Sequence, residues 1–285
     1  MKRLTSTVFV LLAAQMVLGA AASAASIRDD ICSKGVFNAG VKYDSPPFGF
    51  VDENGDVGGF DVDLVKEIGK DLTAFCKKPI KIVYKQVTSK NRIEFVQNGT
   101  VDIAAATATA TYGRMDTVDF SNTYFLDGQR LLVPAGSPIK STRDLAGKRV
   151  ATAQGSTSEV NLKAAAPKAN VISLQQYTDA FTALQQGRVD AVSTDSTILL
   201  GLKASAPDPS KFAIVGPFFS SEPYGMILKQ NDSTWRNFVN ETLSRVSADG
   251  TYRKVFAKWF GPKTKYSLPD PKKLQEIPPQ FPVRR

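Results

Sequence analysis

The sequence contains no histidine among its 285 residues. This absence excludes a Ser-His-Asp or Cys-His catalytic mechanism and any metal site built on histidine ligands. Long runs of like charge are also missing, although the net charge is +9, and we find no recognised nucleic-acid motif. A solvated basic surface is therefore our default interpretation of the charge. We expect no nucleic-acid partner, no metal and no cofactor.

Cysteine is scarce, with only Cys32 and Cys76 present. In an oxidising compartment a lone pair usually forms one disulfide. Such a bond would tie the N-terminal segment to the end of the first long predicted helix, and loop closure would contribute about 4 kcal/mol. Two free buried thiols are the alternative.

Long apolar runs are absent beyond the N-terminus. Lys2 and Arg3 precede an apolar run over residues 8–20, and Ala-Ser-Ala at 22–24 fits the pattern that signal peptidase cuts after. The apolar run is short and lacks a stop-transfer pattern, although an uncleaved anchor is the alternative. No later stretch approaches the roughly 18 apolar residues of a membrane span. We predict that residues 1–24 are a signal peptide and that the mature chain is soluble and exported.

Strand and helix patterns alternate along the rest of the chain. In residues 61–75, for example, Leu64, Ile68 and Leu72 fall on one helical face. Alternation of this kind predicts an α/β fold with mostly parallel sheets flanked by helices. The predicted strands are 36–42, 80–87, 101–106, 148–153, 171–174, 189–194, 212–216 and 224–229, and the predicted helices are 61–75, 89–99, 156–165, 177–186, 234–246 and 252–260.

One segment of the sequence is echoed 88 residues later, where residues 95–107 (FVQNGTVDIAAAT) resemble residues 183–195 (ALQQGRVDAVSTD). Both predict a helix, a glycine cap and a strand, which ends at Thr107 in one copy and Asp195 in the other. The echo predicts two α/β lobes built on one plan, with hinge closure between them. Because α/β sheets bind ligands at the carboxyl ends of their strands, we expect Thr107 to face Asp195 across a cleft.

Polar residues that could neutralise a free amino acid follow these strands. An α-carboxylate requires a cation with further donors, and an α-ammonium requires a carboxylate. Arg114 could converge with Thr107 and Thr109 on one carboxylate, or could instead lie on the surface. Asp195 could receive the ammonium, or could only cap the helix after it.

Further candidates lie at a helix start and at the ends of lobe 1 strands. Ser156 and Glu159 form a capping-box pattern, and the same helix N-terminus is suited to an anion. Lys42 and Arg92 provide two more cations, which would suit a second carboxylate on the ligand. The alternative for Arg92 is a solvated helix residue after Ser89, the predicted helix cap.

Several short segments, in this order and spacing, resemble the family 3 extracellular solute-binding proteins, which deliver polar amino acids to ABC importers. The resemblance to the whole family runs from about residue 35 to residue 261. Within the family, a second set of segments resembles the glutamate/aspartate binders in particular. The general segments are GFDVDLV (59–65), VDFS (118–121), DLAGKRV (144–150), GST (155–157) and YGM (224–226), and the narrower ones are TSKNRI (88–93), QNGT (97–100) and SEV (158–160).

The resemblance implies a role for each candidate in binding the amino acid. It implies donors for the α-carboxylate, a carboxylate for the ammonium and a cationic end for an acidic side chain. The implied set is Arg114, Thr109, Ser156 and Thr157 at the α-carboxylate, Asp195 with Thr107 at the α-ammonium, Arg92 with Ser89 at the side-chain carboxylate, Lys42 where acidic-ligand binders carry a cation, and Tyr177 as a further hydrogen-bonding partner.

The family fold implied is the two-lobed periplasmic-binding-protein fold (type II) with two hinge crossings. Lobe 1 would comprise residues 26–129 and 221–261, lobe 2 residues 130–220, and residues 262–285 a proline-rich tail. We expect a periplasmic monomer that captures glutamate or aspartate and hands it to the permease subunits of an ABC transporter. A neutral ligand such as glutamine is the alternative. A dehydratase acting on cyclohexadienyl acids is a minor one, since we can assign no unpaired glutamate to the cleft.

Overall fold

A computed structural model describes residues 25–268 of this protein. The predicted signal peptide, residues 1–24, lies outside them, as do residues 269–285 of the predicted tail. The described chain forms two five-stranded sheets that pack against helices. The predicted two-lobed α/β class is confirmed, while the residues at which the lobes divide stay a prediction.

The helices and strands alternate much as the sequence predicts. In chain order the helices of residues 25–268 are α1 (Ile27–Lys34), α2 (Phe60–Cys76), α3 (Arg92–Gln97), α4 (Tyr112–Met115), α5 (Thr157–Ala165), α6 (Tyr177–Gln185), α7 (Ser196–Ala204), α8 (Ser233–Ala248) and α9 (Thr251–Phe260). The strands are β1 (Val36–Val41), β2 (Asp44–Ser45), β3 (Gly49–Val51), β4 (Val57–Gly58), β5 (Lys81–Gln86), β6 (Ile103–Ala105), β7 (Asp119–Phe120), β8 (Phe125–Asp127), β9 (Gln129–Pro134), β10 (Arg149–Ala153), β11 (Asn170–Leu174), β12 (Ala191–Asp195), β13 (Phe212–Val215), β14 (Glu222–Tyr224) and β15 (Ile227–Leu228). None of the described helices combines the length and hydrophobicity that crossing a bilayer requires.

The first sheet has the strand order β5-β1-β6-β15-β7. Strand β1 pairs in parallel with β5 and β6, whereas β15 pairs antiparallel with β6 and β7. Four of its five strands therefore run in one direction. Val41 at the end of β1 is in register with Ala105 at the end of β6, so the segments that follow these two strands leave the sheet at the same edge.

The second sheet repeats this plan with the order β11-β10-β12-β9-β13. Strand β10 pairs in parallel with β11 and β12, and β9 is the antiparallel strand between β12 and β13. Strand β10 ends at Ala153 and β12 ends at Asp195. The loop before α5 and the start of α7 therefore emerge side by side at one edge of this sheet.

The two copies of the sequence echo occupy equivalent places, α3 to β6 in the first sheet and α6 to β12 in the second. Gly99 and Gly187 follow their helices with φ of 74° and 68°, the left-handed conformation that ends a helix at low cost for glycine. Asp102 and Asp190 then each accept a hydrogen bond from a main-chain N–H at the neighbouring strand, at 2.7 and 2.8 Å. The echo is therefore a structural repeat.

The chain passes between the sheets twice, through β8 and β14, and these two strands pair antiparallel. We call this pair the hinge ribbon (residues 125–127 and 222–224). Asp127 lies opposite Glu222 in it, and Thr109, beyond β6, forms an isolated bridge with Tyr224. The predicted single strand 224–229 is wrong, because its first residue belongs to the ribbon and only Ile227–Leu228 joins the first sheet.

Aromatic rings hold the hinge ribbon against lobe 1. The ring of Phe48 lies 4.9 Å from that of Phe125 and 5.4 Å from that of Tyr224, centroid to centroid. Phe60 and Phe260 complete the cluster at 5.3 to 6.1 Å, and all five side chains are buried. Each such contact buries apolar surface and so stabilises the position of the hinge ribbon against lobe 1.

The predicted disulfide is confirmed. Cys32 in α1 bonds to Cys76, the last residue of α2, with their Cα atoms 5.3 Å apart. The bond fastens the first helix of the described chain to the long helix that packs across β1, β5 and β6.

The predicted helix cap at Ser89 is wrong. Helix α3 begins at Arg92, and its N-cap position is Asn91. The side chain of Asn91 instead accepts a hydrogen bond from the main-chain N–H of Thr88 at 2.7 Å, which makes a turn before the helix. The Ser89 hydroxyl is thereby released from capping and accepts a hydrogen bond from Lys42 at 3.1 Å.

Candidate ligand-binding site

Arg114 joins the two lobes across the cleft. Its Nη1 donates to the Thr109 carbonyl at 2.8 Å, and its Nη2 donates to the Gly155 carbonyl at 3.2 Å. Burial and the nearby charge of Arg92 lower the pKa of Arg114 to about 10, so it remains a cation at neutral pH. No carboxylate of residues 25–268 lies within ion-pair distance of it, although those of Glu222 and Asp195 are near enough to oppose the lowering of its pKa. Its guanidinium therefore remains available to an anion in the cleft.

Glu222 of the hinge ribbon gathers hydroxyls from both walls of the cleft. Its Oε2 accepts from the hydroxyl of Thr109 at 2.5 Å and from that of Thr157 at 2.7 Å, and its Oε1 accepts from Asn161 Nδ2 at 2.9 Å. The Gln129 amide also donates to the Thr157 hydroxyl at 3.3 Å. The two threonine protons therefore point at Glu222, so a ligand carboxylate would depend on main-chain N–H groups beside Arg114.

Ser156 has the structural role that its capping pattern predicts. Its hydroxyl donates to the Ala153 carbonyl at 2.6 Å and accepts from the Glu159 N–H at 3.3 Å. The Glu159 carboxylate reaches the Gly155 N–H at 3.1 Å rather than that of Ser156, so only half of the capping box forms. The first N–H groups of α5 have no intrahelical acceptor, as at every helix start.

Asp195 occupies the N-cap position of α7, but its side chain makes no cap hydrogen bond. It accepts instead a short hydrogen bond from the Tyr224 hydroxyl, and its Oδ1 has no partner within the described chain. Burial, with the nearby carboxylates of Glu222 and Asp127, raises the pKa of Asp195 well above its usual range. This unpaired buried oxygen is suited to accept a hydrogen bond from an ammonium group.

The side chain of Arg92, the first residue of α3, is buried beside the end of β6. Its Nη1 donates to the carbonyls of Ala106 and Thr107 at 2.5 and 3.1 Å, and its Nε has no partner among residues 25–268. The surface alternative for Arg92 is therefore wrong, since only 2% of it is exposed. Thr107 is held at a φ of 49°, a strained conformation for a β-branched residue, and its N–H donates to Asp61 at 3.0 Å.

Lys42 is fully buried and already paired. Its Nζ lies 3.1 Å from Asp44 Oδ1 and donates to the Ser89 hydroxyl at 3.1 Å. It also lies 5.2 Å from the centre of the Tyr177 ring, within the range of a cation–π contact. Burial lowers the pKa of Lys42, and Asp44 opposes this effect.

The structure brings most of the predicted site residues to facing edges of the two sheets. Interactions that join the two sides run through Arg114, Thr109, Thr157 and Lys42. Tyr177 begins α6 and donates its main-chain N–H across to Asp44 at 2.9 Å. The roles of these residues toward a ligand stay predictions.

Three residues at the cleft were not predicted from the sequence. Asp44 lies two positions after Lys42, past a bend at Tyr43, and its carboxylate pairs with Lys42 at 3.1 Å. Glu222 and Tyr224 flank Pro223 in β14, and only the pairing of β14 with β8 shows that this segment belongs to the hinge ribbon. The sequence assigns no unpaired glutamate to the cleft; Glu222 does lie there, but its carboxylate is bound by three donors.

Comparison with known proteins gives a consistent result. The family described as "Bacterial extracellular solute-binding proteins, family 3" matches residues 37–262. The ABC transporter glutamine-binding protein GlnH of Bacillus subtilis is 41% identical over 238 residues, 83% of this chain and 84% of that protein. The glutamate/aspartate import solute-binding protein of Salmonella typhimurium is 34% identical over 245 residues, 84% and 81% of the two chains.

Among solved structures, an ancestral arginine-binding protein bound to glutamine superposes with a TM-score of 0.75 at 39% identity. The match covers 80% of this chain and 98% of that one. The shared fold thus agrees with the family match over most of the described chain. The chain belongs to the family 3 bacterial extracellular solute-binding proteins, whose members work with ABC transporters.

Proposed function

We propose that this protein is a periplasmic, monomeric binding protein that captures glutamate or aspartate by hinge closure and delivers it to an ABC importer without catalysing a reaction. The observation that carries the proposal is a pair of arginines in the cleft, Arg92 and Arg114. Their hydrogen bonds within residues 25–268 go to main-chain carbonyls. A dicarboxylate ligand offers one carboxylate to each, which would compensate the buried charge of Arg92 and the half-buried charge of Arg114.

The α-amino acid group would lie between Arg114 and Asp195. Arg114 and the N–H groups at the start of α5 favour the α-carboxylate. The ammonium would approach Asp195 Oδ1, which lacks a partner within the described chain. Because these contacts come from both sheets, binding of the ligand would favour the closed arrangement of the lobes.

The side-chain carboxylate would lie toward Arg92. Its Nε has no hydrogen-bond acceptor among the described residues, and an arginine can present two parallel donors to one carboxylate. Ser89 lies beside this region through its bond with Lys42. An amide side chain could take one of these hydrogen bonds but would leave the charge of Arg92 uncompensated.

Glutamine is the second candidate, and one observation favours it. Lys42, the other cation expected for an acidic side chain, is neutralised by Asp44 at 3.1 Å. The pocket therefore offers one uncompensated cation to the side chain rather than two. The relative from Bacillus subtilis, which is named a glutamine-binding protein, supports this alternative.

Titration calorimetry of the mature chain with a panel of amino acids tests the proposal. The matched variants are Arg92→Gln and the exposed Arg188→Gln, whose side chain lies outside the cleft. We expect Arg92→Gln to weaken glutamate by about 100-fold or more, because removing one partner of a buried charge pair costs about 3–5 kcal/mol. In Arg92→Gln the affinity for glutamine should fall by about tenfold at most, and Arg188→Gln should leave the affinity for both ligands unchanged.

Equal losses of glutamate and glutamine in Arg92→Gln would contradict the assignment of Arg92 to a side-chain carboxylate. Tighter binding of glutamine than of glutamate by the unmodified protein would establish the second candidate instead. Turnover of prephenate or arogenate by the purified protein would contradict the proposal that it only binds.

A further inference from the structure

Asp44 and Lys42 form a buried ion pair at the side-chain end of the cleft. Their Nζ–Oδ1 distance is 3.1 Å, and their side chains are 0% and 2% exposed. Lys42 directs a second hydrogen bond to Ser89 at 3.1 Å. Two of the three N–H donors of Lys42 are thus paired with lobe 1 residues, and its charge is compensated by Asp44.

Asp44 also reaches the opposite lobe. Its Oδ2 accepts the main-chain N–H of Tyr177, the first residue of α6, at 2.9 Å. The carboxylate therefore sits at the positive end of a nine-residue helix, while the Tyr177 ring lies over Lys42. One carboxylate both neutralises a cation in lobe 1 and fastens a helix start of lobe 2.

The geometry points to Asp44 as a specificity-determining residue that sets the balance between acidic and amide ligands by neutralising Lys42. This inference rests on the proposed function. With Lys42 paired to Asp44, Arg92 is the only buried cation at this end, among residues 25–268, that lacks a carboxylate partner. Without Asp44, a second cation would face the side chain of the ligand and favour a carboxylate there. Without Lys42, the charge of Asp44 would disfavour one.

The Asp44–Lys42 pair lends itself to a double-mutant cycle, with the ratio of the dissociation constants of glutamine and glutamate as the readout. The variants are Asp44→Asn, Lys42→Met and the double variant, each measured by calorimetry at about pH 6, because burial lowers the pKa of Lys42 and a lower pH favours its protonated form. Because each single change leaves one uncompensated charge near the ligand, we expect the ratio to rise about tenfold or more in Asp44→Asn and to fall by a similar factor in Lys42→Met. The double variant should return close to the ratio of the unmodified protein.

A purely structural role predicts a different pattern, in which both single variants weaken the two ligands alike and the ratio stays constant. That result would overturn the inference, and so would shifts of the ratio in the same direction. Should Asp44→Asn fail to fold, Lys42→Met alone still decides, because its ratio must fall. The exposed pair Lys34 and Asp30, 3.6 Å apart on α1, provides control variants Lys34→Met and Asp30→Asn that should leave the ratio unchanged.

The same titrations separate this inference from the proposed function. If the unmodified protein bound neither glutamate nor glutamine, the proposed function would fail. If it bound either one and the ratio did not respond to Asp44, only the role of Asp44 would fail.

Discussion

Binding of any α-amino acid should release a proton from Asp195. Burial and the carboxylates of Glu222 and Asp127 raise the pKa of Asp195 well above its usual range, so its protonated form is favoured before a ligand binds. An ammonium group beside Oδ1 favours the ionised form and lowers that pKa. The free protein thus holds more protons than the complex, and affinity must rise with pH.

The size of the effect follows from linkage. One proton released per ligand bound gives at most a tenfold gain in affinity per pH unit, about 1.4 kcal/mol. The pKa of Asp127 is raised to about 6, mainly by burial and also by the nearby carboxylate of Glu222. Asp127 therefore adds a smaller gain in affinity with rising pH, of the same sign. Asp61 has a pKa of about 6 for the same main reason, but it lies behind Thr107.

Calorimetry between about pH 5 and pH 7.5 measures this effect through the dissociation constant, and buffers of different ionisation enthalpy count the proton directly. The Asp195→Asn variant is the control, since it should bind more weakly and lose most of the pH dependence. A dissociation constant that stays within about twofold across this range, with no proton release, would refute the assignment of the ammonium to Asp195.

Two further predictions concern stability. Replacing Cys32 and Cys76 by serine opens a loop of 44 residues and should lower the free energy of unfolding in urea by about 4 kcal/mol; a loss below about 1 kcal/mol would contradict the loop-closure account. Gly201→Ala places a Cβ 1.8 Å from the Pro46 carbonyl oxygen and should cost about 1–3 kcal/mol or more, measured in the same assay. Gly58→Ala, whose new Cβ has its nearest contact at 3.8 Å, should be nearly neutral.

The parts of the fold that the sequence predicts are those with a local signal. The amphipathic period of α2, the glycine caps at Gly99 and Gly187 and the repeated strands are all visible in order along the chain. Strand β9 was missed because Leu131, Leu132 and Val133 are all buried in the middle of its sheet, so its sequence lacks the alternation that marks a half-buried strand. The hinge ribbon was missed because each of its strands is three residues long and gains meaning only from its partner, about 95 residues away.

The site shows the same division. The positions of Arg114 and Asp195 at the cleft could be predicted because Arg114 comes after a strand and Asp195 ends one, and strand ends converge on one edge of a sheet. The roles of Ser89 and Thr109 in this structure depend on partners far along the chain, Lys42 and Glu222, that no local pattern indicates. Tertiary contacts decide which hydroxyl caps a helix and which one receives a charge.

The pairing of β8 with β14 has a consequence for how the molecule opens. Two separate linkers would let the lobes twist, slide and part independently, whereas a hydrogen-bonded pair resists sliding of one strand along the other and yields mainly by bending. Glu222 sits on that bending element and is attached to Thr109 on one wall and Thr157 on the other. If the lobes open as proposed, this carboxylate would lose at least one hydroxyl as the cleft admits water, and the entry of solvent would be coupled to the bend of the ribbon.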